Sequence, residues 1–281
     1  MVDHAANSQG SANAGAYASR LGAGWSTLVG AGRITRRWGS LASVDLSGFT
    51  RLSERLARHD AAGAEELNAT INAQFEPLIE IAAGFGGDVL QFGGDALLIW
   101  FEGAHHEQRA AAGAWRMQRS LAAHGRVHTP AGPVRLRMSV GVASGEVTFA
   151  LIGTTHRELL VLGPTATRAV ELESRASAGQ ILLSDATAQQ LPASAVADAG
   201  DGAWRQRRDV AAPSGELATA DPAGALAFVP PEVRPIVLAE VTTAEHRPIT
   251  VTFVNIPGTD ALAGHDRQHE LGDGPLSLIH I

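Results

Sequence analysis

The 281-residue chain contains no cysteine and no lysine. The first absence removes disulfides, thiolate nucleophiles and every cysteine-based metal site. The second removes all chemistry that needs a lysine, including a Walker A phosphate loop, where a lysine stands beside the Ser or Thr. All 22 basic residues are therefore arginine, and 29 acids outnumber them, giving a formal net charge of -7 at pH 7. With that balance, and no arginine-rich run with interleaved aromatics, a nucleic-acid surface is not expected. Aromatics are scarce at 5%, so alanine and glycine supply much of the bulk. No apolar run approaches the roughly 20 residues that span a bilayer. The N-terminal "MVDHAANSQGSANAGAYASR" lacks the basic region and apolar core of a secretory signal. These absences lead to the expectation of a cytoplasmic protein that meets small ligands or protein partners, with no nucleic acid and no membrane.

What is present reads as globular: 45% of residues are hydrophobic and 18% charged. Residues 1–35 are expected to be a disordered or weakly structured lead-in. "SLASVDL", 40–46, is a short apolar strand ending on an acid and running into Ser47-Gly48. A short helix over "FTRLSERLARHD" comes after it, then the breaker "AAG", then a longer helix with Leu67, Ile71, Phe75, Leu78 and Ile79 on one face. "GGDVLQFGGDALLIWF", 86–101, is a hairpin turning at Gly93-Gly94. A helix over "HHEQRAAAGAWRMQRSLAAHG" comes next, and "VRLRMSVGVASGEVTFALIG" alternates like two strands around Ser144-Gly145. "ELLVLG", "TATRAVELESRA" and "QILLS" add a strand, a helix and a strand. That order describes an α+β, ferredoxin-like (palm-like) sandwich: one mainly antiparallel sheet with helices on one face, over residues 36–200. Residues 201–240, rich in Pro, Gly, Ala and Asp, read as a linker. "HRPITVTFVNIPGTDAL" then repeats the layout of the first strand and turn, with Asn255 where Asp45 stands and Gly258 matching Gly48. Residues 241–262 are expected to be the first strand of a truncated second domain, and 263–281 a tail without function.

Two aspartates recur behind a Gly-Gly pair, Asp88 and Asp95. Asp88 opens a strand after a helix stop. Asp95 and Asp45 each sit where a strand meets a glycine-containing turn, on strands expected to be neighbours. Two carboxylates there suit a divalent cation, since Mg²⁺ takes hard oxygen ligands from one or two carboxylates plus substrate phosphates. The "SGFT" turn at a helix start offers backbone N–H groups to those phosphates. Taken singly, Asp45 also reads as a turn residue beside the cap Ser47, and Asp95 as a hairpin residue. His105 and His106 are read as a solvated helix N-terminus, and Trp115 and Met117 as packing.

"SVDLSGFTRLSERLA", "GGDVLQFGGDALLIWF", "MSVGVASGEV" and "HRELLVLGPTATRAVELESRASAGQILLS", in this order and spacing, resemble the class III adenylate/guanylate cyclase catalytic domain. The likeness is closest to bacterial tandem cyclases related to soluble adenylyl cyclase. The resemblance implies two Mg²⁺ or Mn²⁺ ions held by Asp45, Asp95 and the carbonyl of Leu46, with the backbone of Ser47, Gly48, Phe49 and Thr50 facing the phosphates. The implied reaction is attack of the ribose 3'-oxygen on the α-phosphorus of ATP or GTP, ATP being preferred, with loss of pyrophosphate.

The departures matter as much. The family's base-selecting Lys or Glu falls on Gln91, its second base contact on Leu160, and its supporting Asn and Arg on Thr167 and Glu171. The resemblance therefore implies a metal-binding half whose missing groups come from a second cyclase domain of a longer chain. A homodimer partner could not supply them, so little or no activity is expected from these 281 residues alone. Bicarbonate activation is not expected either, because its Lys and Arg correspond to Gln91 and Glu171. The competing reading is a catalytically dead module that binds nucleotide or a partner and regulates an appended ATPase region.

Overall fold

A computed structural model describes residues 15, 18–48, 52, 60–129, 132–217 and 221–238. Along the chain come helices α1 (Arg20–Ala23) and α2 (Trp25–Leu28), strand β1 (Ile34–Ser47), helix α3 (Asp60–Gly84), strands β2 (Gly87–Gly93) and β3 (Ala96–Glu102), and helix α4 (His106–His124). Strands β4 (Arg126–Thr129), β5 (Gly132–Arg135), β6 (Arg137–Ile152) and β7 (Glu158–Leu162) precede helix α5 (Pro164–Arg175). Strand β8 (Ile181–Ser184), helix α6 (Asp185–Ala188), strands β9 (Val196–Asp198) and β10 (Ala203–Gln206), and helices α7 (Pro222–Ala225) and α8 (Arg234–Leu238) complete the order. The chain divides into a larger unit, Trp38–Gly145 with Thr165–Leu217, and a smaller one, Met1–Arg37 with Glu146–Pro164 and Ala218–Ile281.

In the larger unit the strands run in the order β2-β3-β1-β6-β8-β10-β9. The pairs β2/β3, β1/β3, β8/β10 and β9/β10 are antiparallel, whereas β6 and β8 run parallel. Alternation then sorts the side chains. Ala42, Val44 and Leu46 of β1, Leu97, Ile99 and Phe101 of β3, and Met138, Val140 and Val142 of β6 all enter one core. Phe75, Leu78 and Ala82 of α3 and Ala110, Ala111, Ala112, Ala114, Met117 and Leu121 of α4 cover it. The run of small, fully buried alanines lets α4 lie close to the sheet. A buried guanidinium fixes the start of that helix: Arg109 Nε donates to the carbonyl of Ala104 at 3.1 Å, Nη1 to that of Phe85 at 2.8 Å, and Nη2 to that of Glu102.

The opposite face carries Leu41, Ser43 and Asp45 of β1 together with Leu98 and Trp100 of β3, and Ser139 and Gly141 of β6. Helix α5 packs here: a Cβ on Gly141 would stand 2.1 Å from the carbonyl oxygen of Ala169 and 2.3 Å from the nitrogen of Glu173. Helices thus lie on both faces of the sheet, not on one. The missing side chain of Gly141 opens the space for α5.

Three local expectations change. Helix α3 begins at Asp60 and runs through Ala61-Ala62-Gly63, expected to break it. Two alanines are the best helix formers and offset one glycine, which costs about 1 kcal/mol. The short helix expected before it lies outside the described residues except Leu52 and Asp60; Leu52 is buried and its N–H donates to the Gly48 carbonyl at 3.1 Å. Strand β6 passes straight through Ser144-Gly145, where two strands were expected. Residues 201–240, expected as linker, carry β10 paired with β8, and α7 and α8. Side-chain anchors explain this: Gln206 Nε2 donates to the Ala111 carbonyl at 3.2 Å, and Trp204 Nε1 to Asp185 Oδ1 at 2.6 Å.

In the smaller unit, Ser19 caps α1, its Oγ accepting from Gly22 N–H at 3.1 Å. Leu21 and Trp25 are buried, and Trp25 Nε1 donates to the Gly32 carbonyl at 2.7 Å. Residues 18–33 of the expected weak lead-in are therefore built around a buried aromatic. The far half of β6 pairs with β7 from Thr148↔Leu162 to Ile152↔Glu158. The expected second-domain strand, 241–262, and the tail, 263–281, lie outside the described residues. Among the described residues no helix is long and apolar enough to cross a membrane.

Candidate active site

The antiparallel register of β1 and β3 pairs Asp45 with Ala96, and the Leu46 N–H donates to the Asp95 carbonyl at 3.0 Å. Asp45 and Asp95 therefore stand at adjoining ends of neighbouring strands, as their turn positions suggested. Both are partly buried. Burial raises the Asp45 pKa above the usual carboxylate value, and the charges of Asp95 and then Glu173 raise it further. Like charges crowded at a strand end favour a counter-cation, which removes that repulsion.

Each neighbouring turn depends on glycine. Gly94 has φ 72° and closes the hairpin that presents Asp95. Gly48 has φ 97°, and a Cβ there would also meet the Arg135 carbonyl at 3.1 Å. That turn carries Ser47 and Gly48, both partly exposed, away from the strand. Phe49 and Thr50, also expected to face phosphates, lie outside the described residues.

Gln91 is exposed on β2 and pairs with Leu98, which pairs in turn with Ser43. Paired residues share a face, so Gln91 and Asp45 lie on the same side of the sheet, two strands apart with β3 between them. A register shift between Val89 and Gln91 marks a bulge there. Thr167 and Glu171 are exposed one turn apart on α5, which packs on that same face. Glu171 meets Arg168 Nη1 at 3.3 Å. Leu160 is half-buried in β7 opposite Ala150 and belongs to the smaller unit.

Sequence reasoning missed two groups. Glu173 accepts from Ser139 Oγ at 2.8 Å and acts electrostatically on Asp45. Only the packing of α5 on β6 reveals it. The second is His106, expected to be solvated with His105. His105 is exposed, but His106 is 7% exposed, with its Nδ1 2.8 Å from Ser40 Oγ. From Ser40 the hydroxyls continue to Ser144 at 2.6 Å, Thr187 at 2.8 Å and Ser184 at 3.0 Å. This chain ties β1, α4, β6 and α6 together at a buried point. Burial lowers the His106 pKa below its ordinary 6.5; Glu107 opposes the shift and Arg109 adds to it. A folded pKa below the unfolded one gives stability that is present above pH 6.5 and lost as pH falls through that value toward the folded pKa. Unfolding followed by circular dichroism should show stability falling below pH 6.5 with a slope of at most about 1.4 kcal/mol per pH unit. His106→Gln should flatten it, and an unchanged slope would remove His106 as its source.

The donor set suits Mg²⁺ or Mn²⁺ in a limited way. Among the described residues no group of three or more His, Cys, Asp and Glu could hold a metal ion. Two carboxylates beside a backbone carbonyl leave coordination positions open, as Mg²⁺ sites completed by substrate phosphates do.

Comparison with known proteins fits this geometry. The family model for the adenylate and guanylate cyclase catalytic domain matches residues 40–208. Adenylate cyclase type 10 of Homo sapiens is 30% identical over 151 residues, which are 52% of this chain and 9% of that protein. The Oryctolagus cuniculus protein of that name matches with the same figures. The chain thus spans about 9% of the length of the curated relatives it matches. Among solved structures, the guanylyl cyclase Cya2 is similar with 25% identity and a TM-score of 0.52, over 64% of this chain and 95% of that one. The adenylyl cyclase CyaB from P. aeruginosa shares the fold with 24% identity and a TM-score of 0.51, over 63% and 99%. Through residues 40–208 the chain belongs to the adenylate and guanylate cyclase catalytic domain family.

Proposed function

We propose that residues 40–208 form the metal-holding half of a nucleotide cyclase that makes 3',5'-cyclic nucleotide and pyrophosphate, from ATP in preference to GTP, once a second cyclase domain completes the site. The observation that carries this reading is the placing of Asp45, opposite Ala96 in the β1/β3 register, next to Asp95 in the turn before β3, whose charge raises the Asp45 pKa and calls for a cation. Asp45, Asp95 and the Leu46 carbonyl would hold Mg²⁺ or Mn²⁺. Bound there, such ions supply charge neutralisation at the phosphates and acidify the attacking 3'-hydroxyl.

The chain's own groups do the rest of the binding. The Ser47–Gly48 turn presents backbone N–H groups toward a triphosphate. The wall formed by α5 offers no positive charge at Glu171, since that carboxylate repels a triphosphate and Arg168 is committed to the carbonyls of Asp201 and Gly202 at 3.0 and 2.7 Å. Gln91 and Leu160 provide no ammonium or carboxylate to select a base. A complementary domain would therefore bring the base-reading and arginine half, and residues 241–262 are its proposed start. The preference for ATP rests on the adenylate cyclases at 30% identity, against a guanylyl cyclase at 25%.

Glu171 also favours a second reading, a cyclase-like module that binds nucleotide and regulates neighbouring regions without turning substrate over. The two separate in one assay of cyclic AMP and cyclic GMP formation with Mn²⁺, comparing the 281-residue chain with a longer chain carrying the second domain. The short chain should be nearly inactive and the longer one active with ATP. A folded longer chain that binds nucleotide without forming either product would overturn the enzymatic reading.

A further inference from the structure

An acidic chain, with a formal net charge of -7, carries one long stretch without acids: residues 108–145 hold six arginines and no Asp or Glu. Arg109 is committed to carbonyls and Arg116 to Asp209 at 2.7 Å. Arg126, Arg135 and Arg137 are exposed, and their side chains have no hydrogen-bond or ion-pair partner among the described residues.

The β4–β5 hairpin arranges these charges. Its antiparallel register sets Arg126 directly opposite Arg135, Val127 opposite Val134 and His128 opposite Pro133. Val134 is buried and Val127 packs against the main core, so the valine face points inward. Alternation then turns Arg126, His128 and Arg135 outward, where all three are exposed. Arg137 continues their row beyond buried Leu136. The base of the hairpin is fixed, because the Leu136 N–H donates to the Gly125 carbonyl at 2.7 Å. Directly opposed side chains start about 5 Å apart, and like charges at that spacing destabilise the ladder. A bound anion would turn that repulsion into attraction.

We propose that Arg126 and Arg135, with His128 beside them, form a site for a pyrophosphate-type anion on the outer face of the β4–β5 hairpin. Two planar guanidinium forks side by side match a phosphoryl group, whose three oxygens and double charge engage both, better than a carboxylate with two oxygens and one charge. His128 adds a further nitrogen donor. The location is suggestive as well. The Arg135 carbonyl oxygen lies 3.1 Å from where a Cβ of Gly48 would stand, and Gly48 comes three residues after Asp45. The hairpin therefore adjoins the turn that leaves the aspartate end of β1, within the same unit. That the anion is the tail of a nucleotide, or the pyrophosphate it releases, rests on the proposed function; the anion site does not.

Calorimetric titration of the 281-residue chain with inorganic pyrophosphate, at low salt and with EDTA, tests the site in the absence of metal. Arg126→Gln and Arg135→Gln should each weaken binding at least about tenfold. Arg205→Gln, which removes an exposed arginine from β10, should change it less than about twofold. Thermal unfolding supplies a second sign. Both hairpin variants should be as stable as the unaltered chain or more so when empty, since the opposed charges are gone, yet lose the upward shift that pyrophosphate produces. No binding by the unaltered chain, or equal weakening in all three variants, overturns the proposal, and so does tighter binding of a poly-glutamate peptide than of pyrophosphate. Binding seen only with Mn²⁺ and lost in Asp95→Ala puts the anion on the cation and likewise overturns it. The source of the phosphate is decided by the KM for ATP of a longer chain carrying a second cyclase domain, which should rise about fivefold or more in Arg135→Gln. An unchanged KM beside weakened pyrophosphate binding removes the nucleotide tail as the occupant and leaves the anion site standing. An inactive unaltered longer chain counts against the proposed function, while the titration still judges the hairpin.

Discussion

On the proposed function, Asp95→Ala should reduce cyclic nucleotide formation by a longer chain carrying a second cyclase domain about 10³-fold, equivalent to losing about 4 kcal/mol of transition-state stabilisation. Two features make the effect large. Asp95 sits on a hairpin whose Gly94 already has φ 72°, and no third metal-binding side chain is grouped with Asp45 and Asp95 among the described residues to take over. Mn²⁺ affinity of the 281-residue chain, measured by electron paramagnetic resonance, should fall at least tenfold, a loss of about 1.4 kcal/mol or more. Asp88→Asn is the informative control, since Asp88 stands behind the same Gly-Gly pair but is buried opposite Trp100. It should leave Mn²⁺ affinity unchanged in protein that remains folded. Turnover within about tenfold of the unaltered chain after Asp95→Ala would refute the two-carboxylate site.

Gly141→Ala should destabilise the domain by about 3 kcal/mol, read from the denaturant midpoint. The atoms in the way are backbone, the Ala169 carbonyl oxygen at 2.1 Å and the Glu173 nitrogen at 2.3 Å, so no rotamer change can relieve the clash. Helix α5 must move off the sheet, taking Thr167, Glu171 and Glu173 with it. The gain from a stiffer unfolded chain, about 0.4 to 1 kcal/mol, is smaller than that cost. Gly84, with nothing within 4 Å of a Cβ, provides the contrast, and Gly84→Ala should be neutral or mildly stabilising. Equal stability of Gly141→Ala and the unaltered protein would mean that α5 does not rest on β6 as described.

Much of the larger unit was legible because its signals are local. The hairpin from Gly87 to Glu102 arises from alternation around a Gly-Gly turn, and helix α4 from its own periodicity. Where local signals conflict, tertiary contacts decide. The Ala61-Ala62-Gly63 stretch reads as a break yet continues a helix, and Ser144-Gly145 reads as a turn yet continues a strand, held by a hydroxyl chain reaching from Ser40 to Ser184. The 201–240 stretch has linker composition, but Trp204 and Gln206 find partners on distant elements that no neighbouring residue announces.

The sequence by itself determined which residue types were available: no thiol, no side-chain ammonium group, and two aspartates placed where strands run into glycine turns. It also determined the order of the elements, because the periods of helix and strand are written residue by residue. Only the tertiary structure decided what those residues face. Strand register puts Asp45 beside Asp95 and Gln91 on their side of the sheet, the bare Cα of Gly141 brings Glu173 toward them, and burial turns His106 from a solvent group into a structural one. Local propensity acts over a few residues, whereas charge, burial and close packing act between residues that only the fold brings together.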